Sequence, residues 1–147
     1  MKNEDTLSVQ IHKINALCAE TDGIYHQAGL KLGVPDSTLR VLYAIFDQGD
    51  GCLLADVCRL SSLSKQTVHS AIHQLEKQEM LALVPYRGHA KKVQLTPKGQ
   101  EYVQKTAGIL YAAERRAYAD WSQEEIRQLL TLTQKYNDSL RAQVEAL

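Results

Sequence analysis

One stretch limits the possible folds of this chain more than any other: Leu54-Ala-Asp-Val-Cys-Arg-Leu-Ser-Ser-Leu-Ser-Lys-Gln-Thr-Val-His-Ser-Ala-Ile-His-Gln-Leu75. It reads as two short helices around a tight turn. Ser64 stands as the N-cap of the second helix, with its oxygen available to the Gln66 or Thr67 amide. Leu63 and Val68 take the flanking positions of a hydrophobic staple. Helical spacing gathers Val68, Ala71, Ile72 and Leu75 on one buried face. Lys65, Gln66, His69, Ser70 and His73 then point outward or sideways, and no acid joins them before Glu76. This is the pattern of a helix-turn-helix that reads DNA. Gln can pair with adenine through two hydrogen bonds, Lys reaches guanine or phosphate, and Ser adapts to either. The amides of the first turn, around Ser64 and Thr67, offer a seat for a phosphate. An ordinary solvated helix is the plain alternative, and the shortage of acids weighs against it.

The flanking segments extend the pattern. Leu7, Ile11, Ile14, Cys18, Tyr25 and Ala28 recur at helical intervals, which predicts a helix from about Leu7 to Leu30. Gly33-Val-Pro35 interrupts it. Asp36 or Ser37 is expected to cap a second helix with Leu39, Leu42, Tyr43 and Phe46 on its apolar face. Gln48-Gly-Asp-Gly51 reads as a turn. Beyond the helix pair, Leu81–Val84 and Lys92–Leu95 flank Pro85-Tyr-Arg-Gly-His89, a small β-hairpin with a basic tip carrying Arg87, His89, Lys91 and Lys92. Thr96-Pro97 opens a long helix to about Ala119. Ser122-Gln-Glu-Glu125 is a capping box that opens a final helix, along which Ile126, Leu129, Leu130, Thr133, Tyr136, Leu140, Val144 and Leu147 trace one face.

Charge is uneven along the chain. The formal net charge is +0, yet residues 51–100 hold seven Lys and Arg against three Asp and Glu, a net +4, and the remainder carries −4. A basic module in an acidic frame fits a polyanionic partner. The polar start Met1-Lys2-Asn3-Glu4-Asp5 has no signal-type apolar core behind it, and no apolar run is long enough to cross a membrane. A cytoplasmic protein without a membrane partner is therefore expected. Three cysteines, Cys18, Cys52 and Cys58, are read as reduced thiols rather than a disulfide framework.

Other chemistries fit less well. His69 and His73 have the i, i+4 spacing of metal ligands, but no nearby Cys or acid completes a set, so no metal or cofactor is expected. Cys18 has no neighbouring base or cation to lower its pKa, and Cys58 reads as a small core residue; a thiol-based redox sensor is the lesser alternative. There is no Gly-rich phosphate loop, nucleophile elbow or metal-ligand cluster, so the chain is not read as an enzyme. A winged helix used only for protein contacts stays open. The first and last helices carry more apolar stripe than a small domain can cover. A symmetric homodimer accounts for the surplus, as would a monomer that folds those helices over its own core.

Taken in order, Leu63-Ser-Lys-Gln-Thr-Val68 with Leu75-Glu76, Met80-Leu81 through Val84, and Leu95-Thr96-Pro-Lys-Gly99 resemble the recognition helix, wing start and wing exit of the MarR family of bacterial transcription regulators. The resemblance spans nearly the whole chain in element order. It departs at Glu79 and Ser62, where the family usually has glycine, and at a short wing whose tip is Arg87-Gly88-His89 in place of Asp-x-Arg. The fold it implies is mainly α with a small β wing, an α+β winged helix-turn-helix. Residues 36–97 would form the DNA-binding region, and residues 1–34 and 98–147 the dimerisation helices. The resemblance implies a homodimer on a pseudo-palindromic operator, and repression relieved by a small, often phenolic, ligand. Residues Tyr25, His26, Tyr43 and Tyr111 are the candidates to line the ligand cleft. DNA contacts would come from Lys65, Gln66, His69, Ser70 and His73 in the major groove and from Arg87 in the minor groove. His89, Lys91 and Lys92 would add wing contacts. Ser37 and Thr38 would reach phosphate at the start of the second helix.

Overall fold

A computed structural model describes residues 5–147; the polar stretch Met1-Lys2-Asn3-Glu4 lies outside the described residues. Helix α1 spans Thr6–Leu32, α2 Asp36–Gln48, α3 Leu54–Ser61 and α4 Lys65–Lys77. Strands β1, Leu81–Pro85, and β2, Lys91–Leu95, pair antiparallel from Leu81↔Leu95 to Pro85↔Lys91. Helix α5, Pro97–Val103, passes through a π-helical turn, Gln104–Gly108, into α6, Ile109–Ala117; α7 is Gln123–Glu145. The expected α+β winged helix is the observed one.

The core lies between α2, α3, α4 and the wing. Val41, Ile45, Val57, Val68 and Val93 are completely buried, with Leu42, Ile72 and Leu75 beside them. Side chains of this kind contribute roughly 1.5–3 kcal/mol each when fully removed from water. The buried face of α4 is the expected one. That of α2 is wider: Leu39, Val41, Leu42, Ala44 and Ile45 are buried, while Tyr43 and Phe46 are half-buried at its margin.

Two boundaries correct the sequence reading. The N-cap of α2 is Pro35, with no side-chain cap, rather than Asp36 or Ser37. Asp36 is already helical, and its carboxylate faces His26 of α1 instead, with His26 Nδ1 2.7 Å from Oδ2. The helix expected from Pro97 to Ala119 ends at Ala117 and widens into the π turn. There the Thr106 hydroxyl donates to the Tyr102 carbonyl at 2.7 Å, an i−4 bond of the kind that perturbs a helical ladder.

The turns that aim the reading face carry identifiable chemistry. Ser64 caps α4 by accepting the Thr67 amide at 3.1 Å. Ser62 and Glu79, which stand where the resemblance calls for glycine, have φ of 53° and 59°. These left-handed conformations cost an L-residue on the order of 1 kcal/mol. The wing exit holds the second one in place. The Thr96 hydroxyl donates to the carbonyls of Glu79 at 2.7 Å and Met80 at 3.1 Å, and accepts the Gly99 amide at 3.0 Å. Lys98 Nζ donates to the Gln78 carbonyl at 2.8 Å. A Cβ on Gly99 would stand 1.7 Å from the Met80 carbonyl oxygen, so only glycine lets α5 approach this turn.

The turn read at Gln48–Gly51 leads into a further edge of the wing. Asp50 Oδ1 accepts the Leu95 amide at 2.8 Å, Gly51 N–H donates to Val93 O, and Val93 N–H donates to Cys52 O. Leu53 forms a bridge with Lys92. Strand β2 is therefore held on both sides.

The chain divides into two compact units, the first running to Tyr111 and the second being Ala112–Leu147. In the second, α7 opens on a complete capping box: Ser122 Oγ accepts the Glu125 amide at 3.1 Å and the Glu125 carboxylate accepts the Ser122 amide at 2.7 Å. Among the described residues no helix is long and apolar enough to cross a membrane.

Candidate nucleic-acid interface

With Val68, Ala71, Ile72 and Leu75 locked into the core, the opposite side of α4 is open. Lys65, Gln66, His69, Ser70 and His73 are all exposed, as the helical spacing requires. Two grooves run along this helix. One, of about 420 Å³, lies between α4 and the wing and is lined by Gln66, His69, Ser70, His73 and Glu76, with Leu54, Ile72 and Leu83 at its apolar floor. The other, of about 340 Å³, joins α4 to the start of α2 and is lined by Ser37, Thr38, Gln66, Thr67, Ser70 and Gln74. Six of the seven side chains around the second groove carry a hydroxyl or an amide, the seventh being Ala71. The groove also contains the first turn of α2, where backbone N–H groups have no intrahelical acceptor. Such a groove can donate several hydrogen bonds to one anionic group.

The structure thus brings Ser37 and Thr38 to the same groove as the α4 residues, although about thirty positions separate them in sequence. Ser64 sits at the helix start with its oxygen already engaged by Thr67. The grooves add Gln74 and Glu76 to the residues that the sequence pattern points to. Gln74 follows Ser70 by four residues, one helical turn further along the same side, and that spacing was the available signal.

The wing tip is separate from both grooves. Arg87, His89 and Lys91 are exposed and Lys92 is half-buried. No acidic residue occurs between Glu79 and Glu101, so the hairpin presents positive charge alone.

The proposed ligand-cleft residues do not converge on either groove. Tyr43 and Tyr111 flank Phe46, with ring centroids 6.2 Å and 5.3 Å away. Tyr25 is exposed on α1, and His26 is committed to Asp36. Among the described residues no three His, Cys, Asp or Glu side chains are grouped to hold a metal ion. The three cysteines are free. Burial pushes the Cys52 thiol above its ordinary pKa, away from the reactive thiolate.

A sequence model of the MarR family matches residues 32–92, from the end of α1 to the first half of β2. That span holds both grooves, β1 and the wing tip. Residues 32–92 are thus similar to the MarR family, and the fold is that of a winged helix. Solved MarR-type structures share its fold over nearly the whole chain. A MarR family regulator from Neisseria meningitidis, NMB1585, is 17% identical, with 97% of this chain and 98% of that one covered at a TM-score of 0.78. MepR from S. aureus, solved as a complex with DNA, is 18% identical, with coverages of 95% and 99% and a TM-score of 0.69. BpsR from Bordetella bronchiseptica, whose DNA binding is regulated by 6-hydroxynicotinic acid, is 21% identical, with coverages of 85% and 98% and a TM-score of 0.62. No curated protein matches the chain in sequence. Several of the matching structures are described as MarR-family transcriptional regulators.

Proposed function

We propose that this protein is a sequence-specific DNA-binding transcription regulator, acting as a homodimer on a pseudo-palindromic operator as a repressor that a small ligand releases. The observation that carries the reading is the outward face of α4. Its hydrogen-bonding side chains are exposed on a helix whose other face is completely buried, so the face is rigid and available. Gln66, His69 and Ser70 read base edges in the major groove, and Lys65 and His73 contact bases or phosphates. Ser37, Thr38, Ser64 and Thr67 seat phosphates beside the helix starts. Arg87 enters the minor groove, His89 adds a wing contact, and Lys91 and Lys92 follow the backbone.

The homodimer is supported by the apolar side chains left exposed on α1 and α7. Leu7, Ile14, Leu17, Leu130, Leu132 and Tyr136 each show half or more of their surface to water. A symmetric second copy would cover surface of this kind and supply the second half-site. Under this reading, residues 1–34 and 98–147 serve dimerisation, and residues 36–97 bind DNA. Tyr25, His26, Tyr43 and Tyr111 mark the region where a phenolic effector would act, consistent with the small-molecule control of BpsR. The protein works in the cytoplasm, where its DNA is.

The test is selection from a pool of random duplexes at two salt concentrations, followed by sequencing of the bound fraction. The expected result is a palindromic motif. Affinity should also fall by roughly 10³-fold or more between 50 and 200 mM salt when six or more phosphates are engaged. No enriched motif together with salt-insensitive binding overturns the reading in favour of a protein-interaction module.

A further inference from the structure

The wing concentrates cations without an obvious means of ordering them. Residues 85–92 carry Arg87, His89, Lys91 and Lys92 and no acid. Among the described residues no carboxylate forms an ion pair with any of them. Free lysine and arginine side chains lose considerable rotamer entropy when a partner fixes them. The backbone beneath them is well defined. The Tyr86 amide donates to the Ala90 carbonyl at 2.9 Å, and the Ala90 amide donates to the Arg87 carbonyl at 3.0 Å. Gly88, at φ +59°, closes the turn. Lys92 is held from both sides, opposite Val84 in β1 and bridged to Leu53.

Tyr86 supplies what the side chains lack. Tyr86 is 43% exposed. Lys92 Nζ lies 4.3 Å from the ring centroid, and Arg87 Cζ lies 5.6 Å from it. Both distances fall within the range of cation–π attraction. We propose that Tyr86 is the positioning residue of the wing, its ring holding Lys92 and Arg87 ready for the DNA backbone and minor groove. A carboxylate in its place would order the same cations but cancel their charge and compete with phosphate. The aromatic face orders them and leaves the full charge available. This inference rests on the proposal that the wing binds DNA.

The experiment compares the full-length protein with Tyr86→Phe and Tyr86→Leu, binding a labelled duplex recovered from the random pool at several salt concentrations. Tyr86→Phe keeps the ring and is expected to bind like the wild type. Tyr86→Leu is expected to bind about two- to fivefold more weakly per ordered cation. Its salt dependence should be unchanged, because no charge is lost. Lys92→Met, by contrast, is expected to reduce the salt slope by about 1. In a Lys92→Met background the Tyr86→Leu effect should shrink to the part carried by Arg87.

A second readout needs no DNA. The ε-methylene protons of Lys92 should show an upfield ring-current shift in the wild type and Tyr86→Phe, and lose it in Tyr86→Leu. Thermal melts check that each variant is folded. Equal losses in Tyr86→Phe and Tyr86→Leu, no loss in Tyr86→Leu, or an unshifted Lys92 in a protein that binds DNA would each overturn the role of Tyr86. If the wild type binds no duplex at any salt, the DNA reading itself falls and the wing role with it, whatever the Lys92 shift.

Discussion

Helices α4 and α7 are both amphipathic, and the structure treats them in opposite ways. The apolar face of α4, Val68, Ala71, Ile72 and Leu75, is at most 6% exposed. Along α7, Leu129, Leu130, Leu132, Tyr136, Leu140 and Val144 are between 41% and 67% exposed, and no residue of the helix is buried. Periodicity is the same kind of signal in both. It states that a face is apolar and that water is a poor neighbour for it. It does not state what covers the face. For α4 the cover is α2 and the wing, and the helix becomes a fixed platform whose other side is free to read. For α7 the cover is, under the proposed function, a second copy of the chain.

Three groups of substitutions break or sharpen this contrast. The largest effect is expected for core truncation. Ile72→Ala should lower unfolding free energy by about 2–5 kcal/mol in denaturant titrations, with a midpoint that moves equally at every protein concentration. Leu130→Ala should act differently. Its cost should depend on protein concentration, and Leu130→Glu should give a monomer in sedimentation at micromolar protein. A Leu130→Glu chain that sediments as the wild type would remove the distinction between the two faces.

Next in size are changes to the open face of α4. Gln66→Ala and His69→Ala should each weaken operator binding by roughly 1–3 kcal/mol and relax preference at one base position. Their melting temperatures should stay close to wild type. A large drop in melting temperature would mean that the outward face is structural after all.

The smallest effect belongs to the turn after α4. Glu79→Gly relieves a left-handed residue but adds freedom to the unfolded chain. A net gain of about 0.5–1 kcal/mol is expected in thermal unfolding. Loss of stability would show that the Glu79 side chain has contacts worth more than the backbone strain. Gly99→Ala provides the opposite limit at the same junction, because its Cβ would collide with the Met80 carbonyl.

Much of the reading head was legible because its signals are local. Ser64, Thr96 and Ser122 are caps in sequence and in structure, since a cap acts across three residues. The α4 buried face followed from spacing alone. The left-handed turns were legible only as misfits: serine and glutamate stand where the resemblance calls for glycine, and φ there is indeed positive. What was missed is non-local or lacks a pattern. Asp36 looked like a cap because its type and position suit one. The nearby His26, on another helix, draws its carboxylate away. The π turn at Gln104–Gly108 shifts the helical phase by a single residue, too little for a periodicity of apolar residues to register. Gln74 is inconspicuous in the sequence, because a glutamine within an amphipathic helix is ordinary until packing sets Ser37 and Thr38 beside it.

The sequence by itself determined the order and kind of the elements, the caps, the side of α4 that enters the core, and the run of unopposed cations in the wing. These depend on residue type and short spacing, which survive in one dimension. Only the tertiary structure decided which residues share a groove, that Gly51–Leu53 borders β2, and that Tyr86 carries Lys92 and Arg87 on its ring. Such neighbours are chosen by packing between segments. Packing depends on the shapes of two surfaces at once, and neither segment encodes it alone.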